Sequence, residues 1–192
     1  MVTKTLVALL CAGIITTPGS SVSEAQEVRA VPREADAIRQ FEAAIAEYVA
    51  MRRRLADTVP RLAPNSTSVE LNNASDALAA AVQESRQNAG VGDLFVPTVA
   101  AVFKRKIDEA MRTANLRQAL ATIDDEEPAI RAPKIHLRFP AGSQLATTPA
   151  SLLNLFPPLP KGLEYRIVGR TLVLRDVDAA LILDYIPDLI PR

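Results

Sequence analysis

The chain has 192 residues, in which 22 lysines and arginines balance 22 aspartates and glutamates, with one histidine, one cysteine and no tryptophan. A domain built to hold nucleic acid carries a basic excess, so the neutral balance argues against that partner. A single cysteine leaves no intrachain disulfide, and a chain of this length must then be held by its apolar core.

The first element in chain order is a secretory signal pattern. Met1 to Lys4 supply a positive start, Leu6 to about Ile15 an apolar run, and Ser23-Glu24-Ala25 a small-x-small cleavage site. Residues 1–25 are therefore expected to be a signal peptide, with the mature chain starting near Gln26. The alternative, an uncleaved anchor, is disfavoured because the apolar run falls well short of the ~20 residues that span a bilayer. Cys11 follows Leu10, where a lipoprotein signal needs a small residue, so no lipid anchor is expected. Once the signal is removed no thiol remains for a metal, a nucleophile or a disulfide. The expected location is the periplasm or the extracellular space, with no integral membrane segment, and the Ala-rich signal style points to a bacterial source.

Residues 26–127 read as a helical region. From Pro32 to Pro60, apolar residues recur at spacings of three and four (Ile38, Phe41, Ile45, Tyr48, Val49, Leu55, Val59), the stripe of an amphipathic helix of about 27 residues and about 40 Å. A second helix is signalled by Thr67 and Glu70 as a capping box, a stripe at Leu71, Ala74, Leu78 and Val82, and a stop at Gly90. A third starts near Asp93 or Pro97, carries Phe95, Val99, Val102, Phe103, Ile107 and Met111, and runs toward Ile123 with a kink at Asn115. Short connectors favour antiparallel neighbours. The first helix exceeds the second in length, so Phe41, Ile45 and Tyr48 are expected to overhang in part, as a surface for self-association or a protein partner.

Residues 128–192 change character. Pro128 and Pro133 flank a linker, and "KIHLRF" alternates as a half-buried strand with Ile135, Leu137 and Phe139 on one face and Lys134, His136 and Arg138 on the other. "PASLLNLFPPLP" predicts one helical turn and a proline-rigid connector. In "EYRIVGRTLVLRDVDA", Gly169 and Arg170 fit the centre of a tight turn, which sets Ile167 opposite Leu172, Tyr165 opposite Leu174 and Glu164 opposite Arg175. The opposite face then carries Glu164, Arg166, Val173 and Arg175, expected to be solvated. A four-residue turn at Asp176 to Ala179 would place Leu181 opposite Leu174 and Leu183 opposite Leu172 in a third strand. A helix through Ala179, Ile182, Leu183 and Ile186 is the alternative for residues 177–186. The fold class is α+β: three antiparallel amphipathic helices followed by a small antiparallel β-meander, packed as one domain.

The segment "FPPLPKGLEYRIVGRTLVLRDVDAALILDYIP", strongest over Leu155 to Pro187, resembles the tail of a group of exported bacterial proteins to which no activity is assigned; "DLFVPTVAAVFKRKI", Asp93 to Ile107, resembles them more weakly. The resemblance implies a shared fold and export, and carries over no functional residue.

Chemistry-bearing groups are sparse. His136 stands between Lys134 and Arg138, which discourage its protonation, and no Gly-x-Ser-x-Gly elbow accompanies it. The run Asp124-Asp125-Glu126-Glu127 lacks the spaced oxygens and turning glycine of a calcium loop and reads as a solvated helix end, with Lys104-Arg105-Lys106 as a compensating basic cluster. Together with Arg52-Arg53-Arg54 that cluster offers at most a diffuse contact with an anionic envelope surface. No catalytic residue, cofactor or metal is expected. The candidate binding surface is the hairpin set Arg166, Arg170, Arg175 and Asp176, in a stretch better explained as a structural hairpin. The leading expectation is an exported, non-enzymatic protein that binds a protein partner or itself. The alternatives are a hydrolase using Asp176, Asp178 and Asp184 with the hairpin arginines and His136, and a chaperone-like accessory of envelope stress.

Overall fold

A computed structural model describes residues 22–112, 116–118, 120, 132–139 and 148–191, with the backbone alone for 22–32. Most of the signal pattern, the linker from Pro128, the Asn115 kink and the run from Asp124 to Glu127 lie outside the described residues.

Among the described residues, helices α1 (Val22–Ala56), α2 (Ser68–Ser85) and α3 (Pro97–Ala110) and the single turn α4 (Ala150–Leu153) precede the strands β1 (Leu163–Val168), β2 (Thr171–Asp176) and β3 (Leu181–Ile186). The architecture is α+β, helices followed by a three-stranded antiparallel sheet in the order β1-β2-β3. Residues 181–186 are strand, as favoured over the helical alternative.

The helix boundaries depart from expectation. α1 runs through Pro32 and spans 35 residues, stopping before Pro60 at Ala56. α2 has the capping box, with Glu70 N–H donating to Thr67 Oγ1 and Thr67 N–H to the Glu70 carboxylate, but it ends at Ser85, ahead of Gly90. Leu71 is exposed and Ala79 takes its place on the buried stripe with Ala74, Leu78 and Val82. α3 starts at Pro97, the second of the two expected positions, and ends at Ala110; Leu116 and Leu120, helical residues beyond it, are also buried.

One apolar cluster joins helices and sheet. Phe41, Ile45 and Tyr48 are 1%, 3% and 4% exposed, so the α1 stripe is core and the expected overhang at these residues does not exist. The stripe meets Phe95 and Phe103 from the α3 side and Tyr165 from β1. Phe41 stacks on Phe95 with centroids 5.5 Å apart, and Phe103 stacks on Phe156 at 4.6 Å. Each buried ring removes a large apolar area from water.

The β1–β2 register matches expectation, with Ile167 opposite Leu172, Tyr165 opposite Leu174 and Glu164 opposite Arg175. Gly169 has φ of 58°, the positive value a two-residue hairpin turn demands and a Cβ resists. The β2–β3 register does not match. Leu174 faces Asp184 and Leu172 faces Ile186, with an irregularity between Leu174 and Arg175. Arg175 pairs with Ile182, so Leu183 is the extra residue of a bulge, and both Leu183 and Asp184 turn toward the helices.

The second face of the sheet is also not the solvated face expected. Val173 and Ile182 are fully buried beneath Phe139, with Leu137 and Tyr185 beside them. The covering segment is "KIHLRF", which forms a single bridge, Arg138 to Leu181, instead of a regular strand. His136 breaks the extended run with φ of 63°. Phe139 alone of the three expected apolar residues is buried, Ile135 and Leu137 being half-buried.

Candidate functional site

Two buried carboxylates brace the structure. Asp176 ends β2 and is 0% exposed. Its Oδ2 accepts from Tyr48 Oη at 2.7 Å and Arg52 Nε at 2.5 Å, and its Oδ1 accepts from Ala179 N–H at 2.9 Å. The Arg52 guanidinium also bonds to Asp178, so one arginine of α1 holds the end of β2 and the first half of the β2–β3 turn. Burial lowers the basicity of Arg52, but Asp176 and Asp178 more than restore it, raising its pKa. Burial, with the Asp176 charge added, pushes the Tyr48 hydroxyl well above its ordinary range and keeps it a neutral donor. Gly162 completes this corner: its φ is 91°, and a Cβ there would stand 3.1 Å from Arg52 Nη2.

Asp184 plays the same part on β3, again at 0% exposure. One oxygen accepts from Leu94 and Phe95 N–H, each at 2.8 Å, and the other from Gly92 N–H at 2.9 Å and Tyr185 N–H at 2.8 Å. The loop entering α3 therefore converges its amides on one side chain of the sheet. A carboxylate surrounded by N–H donors is stable in the interior because each lone pair is satisfied.

Of the hairpin set, Arg166 and Arg175 both bind Glu164, at 2.8 and 2.6 Å, on the face covered by "KIHLRF". Burial disfavours the Glu164 charge, yet the bonds from Arg166 and Arg175 outweigh it and hold the carboxyl below its ordinary range. Arg175 also lies over the Phe139 ring, 4.9 Å from its centroid. Arg170 is elsewhere, tying the C-terminal residues through Ile190 O at 2.8 Å and Asp188 at 3.1 Å. Asp176 faces α1. The four residues thus divide among three places. His136 has yet another environment: its carbonyl accepts from Gln83 Nε2 at 3.1 Å, while its own Nε2 is buried without a hydrogen-bond partner. Burial, then the nearby Arg86 charge, lowers its pKa, where the flanking Lys134 and Arg138 were expected to do so. On α3, Arg105 and Lys106 bind Glu34 of α1. Among the described residues no group of three or more His, Cys, Asp or Glu could hold a metal ion, and no helix is long and apolar enough to cross a membrane.

A cleft of ≈ 620 Å³ opens beside β1, between the strand and the segment from Thr148 through α4 to Leu159. Leu153, Phe156, Pro157 and Pro158 line one side and Glu164, Tyr165 and Arg166 the other. Tyr165 Oη donates to Pro157 O at 3.1 Å and Thr148 Oγ1 donates to Tyr165 O at 3.2 Å, so strand and connector are tied at both depths. Leu153, at 38% exposure, presents an apolar side chain at the rim. Arg166 was singled out from the sequence, but the proline wall was read only as a connector. The signal for the cleft was the spacing of prolines against an edge strand, which becomes visible once β1 is known to be an edge.

Comparison with protein-family models, with curated proteins and with solved structures finds no match.

Proposed function

We propose that this chain is an exported, non-enzymatic binding protein that acts through the cleft along β1. The observation that carries the proposal is the composition of that cleft: leucine, phenylalanine and proline on one wall, and an edge strand with a bound carboxylate on the other. Such a wall suits apolar, extended chain, and its carboxylate, Glu164, is held by Arg166 and Arg175. The hydrolase alternative needs Asp176 and Asp184, and both are buried and occupied by structural hydrogen bonds. Export rests on the signal pattern of residues 1–25.

The test is complementation of a deletion strain with two variants. Leu153→Asp places a charge on the cleft rim, and is expected to leave the thermal melt unchanged while failing to complement. Asp178→Asn removes the exposed carboxylate of the hydrolase alternative and is expected to complement. The reverse pattern would overturn the binding reading in favour of the enzyme. Intact mass of protein recovered outside the cytoplasm tests export, with a start near Gln26 expected and retention of residues 1–25 refuting it.

A further inference from the structure

We propose that β1 pairs antiparallel with β1 of a second copy of this chain, about a two-fold axis at Tyr165. This rests on the binding reading for the use of the cleft and names its occupant.

The direction of the main-chain groups follows from the hairpin. Val168 and Thr171 close the two-residue turn, so Val168, Arg166 and Glu164 exchange hydrogen bonds with β2, and Leu163, Tyr165 and Ile167 direct theirs away from it. Two bonds agree with that parity: Val177 N–H reaches Gly162 O at 2.8 Å on the β2 side, and Thr148 Oγ1 reaches Tyr165 O on the other. Leu163 N–H is taken by Pro160 O at 3.1 Å. Among the described residues the outward amides of Tyr165 and Ile167 meet no main-chain acceptor, and Tyr165 O keeps a second lone pair beside Thr148. The strand contains neither proline nor lysine, the residues that most often blunt an edge.

The order of side chains selects the occupant. Leu163-Glu164-Tyr165-Arg166-Ile167 reads apolar, acid, axis, base, apolar. Laid antiparallel on itself with Tyr165 opposite Tyr165, it sets Glu164 opposite Arg166 of the second copy and Arg166 opposite its Glu164. Ile167 N–H then faces Leu163 O of the second copy. In-register parallel pairing would oppose like charges instead, and a slip of one residue would turn the outward amides out of register. The match is self-complementary, so pairing consumes the edge in both copies and stops at a dimer. The cleft lies along the same stretch of strand and gives the second strand its room.

Sedimentation of the full chain and a mixing experiment test the pairing. Wild type is expected to dimerise. Glu164→Arg alone opposes arginine to arginine and Arg166→Glu alone opposes glutamate to glutamate, so each is expected to weaken self-association by about tenfold or more. Mixed, the two restore opposite charges at both positions, and the dimer mass should return. Far-UV circular dichroism and melts report whether each variant is folded. Because Glu164→Arg also faces Arg175, cysteine trapping provides a second route in a Cys11→Ser background. Oxidation of mixed Glu164→Cys and Arg166→Cys chains should give a crosslinked dimer, and Glu164→Cys alone should not. A monomeric wild type, single variants as dimeric as wild type, failure of the mixture to recover, or equal crosslinking of Glu164→Cys alone would each overturn the pairing. The binding reading is judged separately: if Leu153→Asp still fails to complement, it stands without the dimer, and if Leu153→Asp complements, it falls whatever the sedimentation shows.

Discussion

The two edges of the sheet are treated differently by the same chain. At the β3 edge, residues 136–139 supply a substitute strand: His136 N–H donates to Ile182 O at 2.9 Å, Ile182 N–H to Leu137 O at 3.0 Å and Phe139 N–H to Ala180 O at 2.9 Å. Phe139 then folds over Val173 and Ile182 and seals that face. At the β1 edge the segment from Thr148 touches one carbonyl and stands back far enough to leave a cleft. Both strands turn apolar residues toward the helices, and the difference lies in what their polar residues do. Asp184 turns inward from β3 and binds the loop before α3, whereas Glu164 and Arg166 stay on the outer face of β1. The edge whose strand anchors the loop before α3 is capped by the chain itself, whereas the outward amides of Tyr165 and Ile167 meet no main-chain acceptor among the described residues.

Breaking the anchored edge should have the largest effect. Asp184→Ala removes the acceptor for Gly92, Leu94 and Phe95 and leaves these amides unsatisfied in the interior, an expected loss of about 3 to 5 kcal/mol in urea unfolding. Asp184→Asn should lose less, since one acceptor oxygen remains. A loss below about 1 kcal/mol for the alanine variant would show that the loop holds itself. Next in size is Gly169→Val at the turn joining β1 to β2. Nothing lies within 4 Å of an added Cβ there, so the cost is backbone conformation alone, about 1 to 3 kcal/mol. An unchanged melt would refute the positive-φ requirement.

The contrast between edges also marks what was legible in the sequence. The β1–β2 hairpin was readable because its register depends on a local turn and strict alternation, both contained within Glu164 to Arg175. The β2–β3 register was not. "LILDYI" carries its acid inside an apolar run, and only amides some 90 residues away, at Leu94 and Phe95, explain why Asp184 points inward and Leu183 bulges to allow it. Still longer separations, 128 and 124 residues, hid the bonds from Tyr48 and Arg52 to Asp176. His136 was misplaced for a different reason: alternation predicts a strand, but the segment bends at a left-handed residue to follow the sheet edge. The α1 stripe was correct in its residues, and its exposure was misjudged because helix length alone does not tell where the sheet lies.

The cap over β3 should be sensitive to acid. His136 has an ordinary pKa of 6.5 that burial lowers in the folded state. The unfolded chain therefore takes up the proton first, so the stability contributed by neutral His136 is present above 6.5 and is lost as pH falls through it toward the depressed folded value. His136→Asn tolerates the same left-handed backbone and cannot titrate. Urea midpoints compared at about pH 7.5 and about pH 5.5 should converge in the variant relative to wild type. An identical pH dependence in both would remove His136 from the acid response.

The smallest effect on stability is expected at Arg166, and its comparison with Arg175 separates the two roles of the β1 face. Arg175 has a side chain 14% exposed, binds Glu164 and lies over Phe139, so Arg175→Ala strips a charge partner and the cover of a buried ring together. The expected cost is about 1 to 2 kcal/mol, because both packing and a half-buried ion pair are lost. The Arg166 side chain is 23% exposed, and Glu164 keeps Arg175 when Arg166 is removed. Arg166→Ala should therefore change unfolding by no more than about 0.5 kcal/mol. If β1 pairs with a second copy, that same variant should shift the monomer–dimer balance toward monomer while its melt stays near wild type. Stability and association then move apart at Arg166 and stay together at Arg175, where loosening Phe139 disturbs the face that holds β1 flat. A large stability loss at Arg166 would make it a structural residue, and unaltered association in a folded Arg166→Ala chain would mean that the charge opposite Glu164 does not select the partner strand.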